Sequence, residues 1–358
     1  MADKKLILVI GATGAQGRPV VSSLLAPNDD GTPSPYTARA LTRDPTSEQA
    51  KLLASWGVEL FKGRVDDLDG IAEAFEGCYG VFVNIDTFSA GQQTEIYSGI
   101  KMFELAHRAR MKHFIWSGFE YASKLGNFDL KYDFAIHYNG KAIVTEFLKS
   151  QSSSPSGDSL TWSTFALGPY LENLRGPLLG PLTKREDGAV VWALPTGDGH
   201  IPAISVEDIG WWSRYTFDHR AETSGKELKI ATEFMTVDQL VETFTRVTGI
   251  PAIHKRFSID EFLATNPVRF SKPLVRGQPD GYTIGDAYRG MYSIWGNDLV
   301  SRDMEWIRRV HPTGYTLESF IRQKGIDGNL DPSFRLLKDS HLHGGVVPNG
   351  KGSCIRTS

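Results

Sequence analysis

Short runs of apolar and β-branched residues recur through the first half of the chain: LILVI (6–10), YTARAL (36–41), VELFK (58–62), GVFVNI (80–85), HFIWS (113–117) and LTWSTFA (160–166). Segments with helical spacing of apolar positions lie between them, among them IAEAF (71–75), IYSGIKMFELAHRA (96–109) and DFAIHYNGKAIVTEFLK (133–149). Strands separated by crossover helices predict an α/β fold with a doubly wound parallel sheet. PNDDGTPSP (27–35) and SQSSSPSGDS (150–159) read as surface insertions between elements. After Leu167 the pattern turns to Gly/Pro-rich turns and then to mixed strands and helices. The expected organisation is a dinucleotide-binding domain over 1–167 and a smaller α/β substrate region over 168–328, some of whose elements return to the sheet. From 329 to 358 an irregular tail is expected, because periodic apolar content fades there.

Directly after the first apolar run comes GATGAQG, with Gly11, Gly14 and Gly17 at G-x-x-G-x-x-G spacing. Glycines there let backbone amides approach a pyrophosphate, and the following helix turns its N-terminal amides to the same anion. Gly11, Thr13, Gly14, Gln16 and Gly17 are therefore candidate cofactor contacts; the alternative is a purely structural turn. At the end of the second strand, ARALTRD places Thr42 and Arg43 where an NAD site carries a carboxylate, which favours NADP, with Asp44 one position beyond. Arg43 is alternatively a solvated surface charge. Ligands gather beyond the carboxyl ends of parallel strands, which adds Asp66 in KGRVDD as an acceptor for the adenine amino group, and the NIDTF, SGF and GPY ends with Asn84, Ser117 and Tyr170. Plain loop capping is the competing reading for each of these.

Composition narrows the classes. Of 358 residues 41% are hydrophobic and 23% charged, typical of a globular protein. The 39 basic and 42 acidic residues are dispersed, for a net charge of -3, so no footprint for direct nucleic-acid binding exists. Cys78 and Cys354 belong to no metal-ligating or disulfide framework, and His341 with His343 lack further ligands, so no metal is expected. The start MADKKLILVI is too short for a signal-peptide core, and no run is long enough for a membrane span. A cytoplasmic protein is the expectation.

Taken together, GATGAQG, LTRDP, HYNGK, GPYLENL and IPAISVEDIG resemble the NmrA-like branch of the atypical short-chain dehydrogenase/reductases, from the N-terminus to about Gly210. The resemblance implies a Rossmann domain, a smaller C-terminal substrate region and NAD(P) binding. Family members include reductases, redox-sensing regulators and enzymes recruited into biosynthetic pathways. Active short-chain dehydrogenases carry Tyr-x-x-x-Lys, with tyrosine as proton donor and lysine on the nicotinamide ribose. Here His137 stands four positions before Lys141.

On a helix His137, Lys141, Val144 and Leu148 share one face, which becomes apolar toward its C-terminal end, so Lys141 requires a partner. Ribose hydroxyls are the partner expected. His137 is a candidate acid or a packed helix-face histidine. Tyr138, three residues before the lysine, is a further candidate. Ser117 occupies the neighbourhood of the family's triad serine, and Tyr170 and Asn173 match a family segment along the nicotinamide. Ser205 stands where relatives usually carry an aspartate. Aromatic residues are dense in the second half, and most read as core; Tyr288, Tyr292 and Trp295, at i, i+4, i+7, are alternatively the wall of an apolar cleft over the cofactor, which would suit a flat, aromatic substrate.

The leading expectation is an NADP-dependent oxidoreductase acting on a small apolar carbonyl, imine or enone. Two alternatives stay open: an NADP-bound non-redox biosynthetic enzyme, such as a cyclase using acid catalysis, and a non-catalytic NADP/NADPH sensor that docks a protein partner.

Overall fold

The computed structural model describes residues 4–156, 159–278 and 280–331. Its first half alternates strand and helix: β1 (Lys5–Ile10), α1 (Gly17–Leu25), β2 (Tyr36–Thr42), α2 (Glu48–Ser55), β3 (Glu59–Lys62), α3 (Leu68–Ala74) and β4 (Gly80–Val83). Then follow α4 (Thr87–Ala90), α5 (Gln92–Arg108), β5 (His113–Gly118), α6 (Ala122–Leu125), α7 (Ile136–Lys149) and β6 (Thr161–Ala166). β4, β5 and β6 are buried along their whole length, which is why each reads as a continuous apolar run instead of an alternation.

Beyond Leu167 the elements shorten. β7 (Thr183–Lys184), β8 (Val190–Trp192), β9 (Ile201–Ala203), α8 (Val206–Asp218), α9 (Arg220–Thr223), β10 (Lys226–Lys229) and β11 (Glu233–Met235) come first. α10 (Val237–Thr248), β12 (Ala252–His254), α11 (Ile259–Ala264), α12 (Pro267–Phe270), α13 (Ile284–Gly296), α14 (Met304–Val310) and α15 (Leu317–Lys324) complete the described chain. Local sequence fixes several boundaries. Thr236 and Gln239 form a capping box at the start of α10, and Gly249 ends it in the left-handed conformation.

One seven-stranded sheet, in the order β10–β6–β5–β4–β1–β2–β3, organises the molecule. All its pairings are parallel. This is a doubly wound α/β fold of Rossmann type, with the strand order reversing between β1 and β4. β10, the edge strand beside β6, comes from the second half of the sequence. α8 also returns, packing on α1 where a Cβ on Gly210 would lie 2.5 Å from the Pro19 carbonyl oxygen. Ser205 N-caps α8, accepting from the Glu207 amide, and is fully buried.

Three apolar cores result. Two lie on the faces of the main sheet. The third joins α13, α15 and β8 to Tyr138, Leu171 and Leu174. Of the aromatic residues in the second half, Trp192, Trp212, Tyr292 and Trp295 are fully buried, whereas Tyr282 is exposed. His341, His343 and Cys354 lie outside the described residues.

Candidate functional site

The glycine loop between β1 and α1 is shaped by three different constraints. Gly11 has φ +83°, and a Cβ there would stand 2.7 Å from the Asn84 carbonyl oxygen. A Cβ on Gly17 would fall 2.1 Å from the Gly11 oxygen, so this glycine serves close packing of helix on turn. Gly14 differs: its only near neighbour would be the Gly11 oxygen at 3.2 Å, leaving its outer face open for an approaching group. α1 has no side-chain cap and no acidic residue in its first turn, whereas α2, α3 and α10 are all capped by a side chain. Its first turn carries Arg18 instead, whose Nε is buried without a partner. A cation at the positive end of a helix is unfavourable unless an anion joins it. The loop, the bare helix end and the orphaned Arg18 nitrogen fit the pyrophosphate of a dinucleotide.

At the end of β2 the Thr42 hydroxyl is engaged within its own turn, donating to the Asp44 carbonyl at 3.2 Å. Arg43 is exposed and makes no ion pair among the described residues. Asp66 lies close enough for the Arg43 charge to act on it, yet its carboxylate is held by Arg64, with contacts of 2.9 and 2.8 Å. That pair holds the Asp66 carboxyl below its ordinary range. Arg64 occupies part of the Asp66 acceptor capacity, whereas Arg43 makes no ion pair among the described residues and can meet a phosphate.

Between the carboxyl ends of these strands and α13 lies a cavity of about 1030 Å³, counting the part open to solvent. Its lining includes the polar Gln16, Asn84, Lys141, Tyr170 and Asn173 and the apolar Phe88, Phe119, Leu178, Leu274 and Met291. Asn84, Tyr170 and Asn173 thus meet in one chamber with Lys141, His137 and Tyr138. The Asn173 side-chain amide makes no hydrogen bond within the described residues, and the residue lines the chamber.

Lys141 is buried, and its ammonium is already held. Nζ lies 2.7 Å from the Glu95 carboxylate, donates to the Ile85 carbonyl at 2.7 Å and reaches Asn84 Oδ1 only at 3.4 Å. Glu95, in the first turn of α5, is entirely buried and accepts a further bond from Thr87 at 2.6 Å. Burial raises the Glu95 carboxyl above its usual range, while the Lys141 charge and the hydrogen bonds pull the other way. Gly140 makes the pair possible: a Cβ there would sit 2.9 Å from Gln92 Cγ and 3.3 Å from Glu95 Oε2. The glycine of HYNGK lets α7 approach α5 closely enough for its neighbouring lysine to meet the carboxylate. The partner that the apolar helix face demanded is therefore a side chain 46 residues upstream (141 minus 95). Only the long Asn84 contact is readily exchanged for a ribose hydroxyl.

His137 sits between the rings of Phe88 and Phe119, at centroid distances of 5.3 and 5.9 Å. Burial, assisted by the Lys141 charge, brings its pKa down to about 3, so the ring is neutral at physiological pH. Its Nδ1 is sealed without a partner. Tyr138 stacks on Phe119 at 4.3 Å and accepts a bond from Trp295 Nε1 at 3.2 Å. Ser117 does not line the cavity. Its hydroxyl donates to Gln16 Oε1 at 2.7 Å, and Gln16 Nε2 donates to the Tyr170 hydroxyl at 2.7 Å. Gln16 thus fills the space between Ser117 and the chamber.

The i, i+4, i+7 aromatics divide between the core and cleft readings. Tyr288 lines the cavity together with Ala287 and Met291. Tyr292 and Trp295 point behind it into the core, where their polar atoms bond the Leu178 carbonyl and Tyr138. Both outer faces of α13 are covered, so aromatic spacing alone did not tell cleft from core. Glu95, Arg18, Phe88 and Phe119 were not singled out from the sequence. Of these, only Arg18 carries a local signal, a basic residue at a helix start.

A model of the NmrA-like family matches residues 3–275. The chain is 30% identical over 262 residues to an NmrA-like family domain-containing oxidoreductase, hkm9, of Aspergillus hancockii, an alignment covering 69% of this chain and 74% of that protein. Among solved structures, NmrA, a negative transcriptional regulator in complex with NAD, superposes with a TM-score of 0.68 at 18% identity, covering 90% of this chain and 95% of that one. The NADPH-dependent quinone oxidoreductase QOR2 of Escherichia coli, complexed with NADPH, gives a TM-score of 0.63 at 18% identity, covering 89% and 99%.

Proposed function

The chain belongs to the NmrA-like family, and from that premise we propose that it is an NADP-dependent oxidoreductase reducing a small, apolar or aromatic carbonyl, imine or enone compound. One observation carries the reading: a single cavity joins Gln16 of the glycine loop and Lys141 to a chamber walled by Phe88, Phe119, Tyr288 and Met291. A nicotinamide ring held by the polar lining residues would share the cavity with a flat apolar molecule packed on the apolar ones. Gly11, Thr13, Gly14 and Gly17, with Arg18 and the bare end of α1, would hold the pyrophosphate. Lys141, fixed by Glu95, would add its charge and one donor near the nicotinamide ribose, beside Asn84, Tyr170 and Asn173. The cofactor supplies hydride when bound; the protein supplies orientation, a largely apolar chamber and hydrogen-bond donors. The name of the fungal relative and the NADPH bound to the quinone oxidoreductase support the same class.

Arg43 favours NADP over NAD, since its free guanidinium can pair with a 2′-phosphate. Titration by nicotinamide fluorescence is expected to give tighter binding of NADPH than of NADH, and Arg43→Ala is expected to remove about 1.5–3 kcal/mol of that preference. Equal affinities in the wild-type protein would sink the NADP reading. A panel of planar ketones, quinones, imines and enones should then include compounds that consume NADPH.

A second reading is favoured by the state of Lys141 and His137: two of the three lysine donors are engaged by protein groups, and the histidine is neutral. On that reading the protein senses NADP against NADPH and docks a partner without turnover. Tight NADPH binding with no consumption across the panel would select it.

A further inference from the structure

We infer that Tyr170 is the residue that donates a hydrogen bond, and then a proton, to the reacting heteroatom of the substrate, the role that His137 does not fill. The inference rests on the reductase reading for its source of hydride. Its own foundation is the direction of the hydrogen bonds around Gln16. Ser117 has one hydroxyl proton, and it goes to Gln16 Oε1 at 2.7 Å. The amide is thereby oriented with its nitrogen toward Tyr170, and Nε2 donates to the phenol oxygen at 2.7 Å. The phenol oxygen accepts that bond, so its own proton must point elsewhere. No described residue receives it. Tyr170 lines the cavity, so the phenol proton is available to a molecule bound there.

Ser117 and Gln16 are 1% and 3% exposed, so the bond between them is shielded from water and the amide is held in place between the two hydroxyls. Three segments converge to build the chain: the end of β5, the glycine loop and the segment after β6. The other hydroxyl and the imidazole are less well placed. Tyr138 is held in the apolar wall by Phe119 and Trp295. His137 has no proton to give as an imidazolium near neutral pH, and its Nδ1 is sealed. The Tyr170 phenol is kept protonated by burial, while the Gln16 bond favours the phenolate that follows proton transfer.

The step balances as follows. When hydride from the reduced nicotinamide reaches the electrophilic carbon, the C=O or C=N π pair moves onto the heteroatom. The Tyr170 O–H bond breaks, its proton forms the new O–H or N–H bond, and the electron pair stays on the phenol oxygen. Gln16 Nε2–H stabilises that phenolate, and water entering the cavity mouth reprotonates it as product leaves.

The test uses the cofactor-free protein and 2-acetylnaphthalene, a flat apolar ketone, with the carbonyl stretch read by infrared difference spectroscopy. The stretch of the bound ketone is expected at lower frequency in the wild-type protein than in Tyr170→Phe, with affinity roughly fivefold to tenfold weaker in the variant. His137→Phe should keep the shift. With NADPH at saturating concentration, Tyr170→Phe should reduce turnover by roughly a hundredfold or more. An identical stretch in wild type and Tyr170→Phe, loss of the shift in His137→Phe, or failure of the wild type to bind the ketone overturns the assignment. A Tyr170-dependent shift without NADPH consumption overturns the reductase reading and the proton-transfer step, and upholds the contact.

Discussion

Lys141 shows what a single residue discloses and what it hides. Its place on a helix face that turns apolar made a buried partner necessary, and that much was legible from spacing. The identity of the partner was not, because Glu95 belongs to another helix and its pairing depends on packing at Gly140. The pair has a measurable signature. Lys141→Met strands a buried carboxylate and should cost about 3–5 kcal/mol in urea unfolding, whereas adding Glu95→Gln to it should restore much of that loss. Additive losses in the double variant would show the two groups to be uncoupled. His137 offers a second residue-scale test through pH. Its folded pKa of about 3 lies below the unfolded value of 6.5, so between these limits the unfolded chain binds a proton that the folded one refuses. Its contribution is unaffected above the unfolded value and is lost as pH falls, by about 1.4 kcal/mol per unit. The stability difference between wild type and His137→Phe should therefore move in favour of the variant by that slope from about pH 6 to about pH 4. Parallel curves would mean that the imidazole protonates in place.

Elements were readable to the degree that both of their faces are buried. β1, β4, β5 and β6 announce themselves as apolar runs because helices cover both sides of the sheet at its centre. β10, KELK, carries three charges in four residues, and only Leu228 of it is buried. It is an edge strand paired on one side, so its sequence lacks the pattern that would reveal it. The strands of two and three residues in the second half are likewise held by tertiary packing and too short for periodicity. The glycine loop was legible as a motif, yet its glycines do different work. Gly14→Val should abolish NADPH binding with little change in melting temperature, because its side chain would enter the open face. Gly17→Ala should lower stability even without cofactor, since its Cβ would clash with Gly11 and Ala12 backbone at 2.1 and 2.4 Å. Thermal melts paired with NADPH titrations check both; equal behaviour of the two variants would refute the division of roles.

At the scale of the molecule, the substrate side is tied to the sheet by buried polar contacts. Arg302 pairs with Glu120 and bonds the carbonyls of Ala166, Leu167 and Ile230, joining the carboxyl ends of β5, β6 and β10. Phe119, next to Glu120, forms part of the chamber, so the clamp and the cavity share their framework. None of this was visible in the sequence, where these residues are spread over nearly two hundred positions. On the proposed reading a dinucleotide end and an apolar compound would meet in the cavity beyond these strand ends, and reduction would take place within it. The most direct measurement is a turnover with NADPH deuterated at the transferable C4 position and a ketone of the panel, followed by mass spectrometry of the product. One deuterium at the former carbonyl carbon is the expected result. Product lacking deuterium, or formed equally well with NADP, would contradict hydride transfer in this cavity.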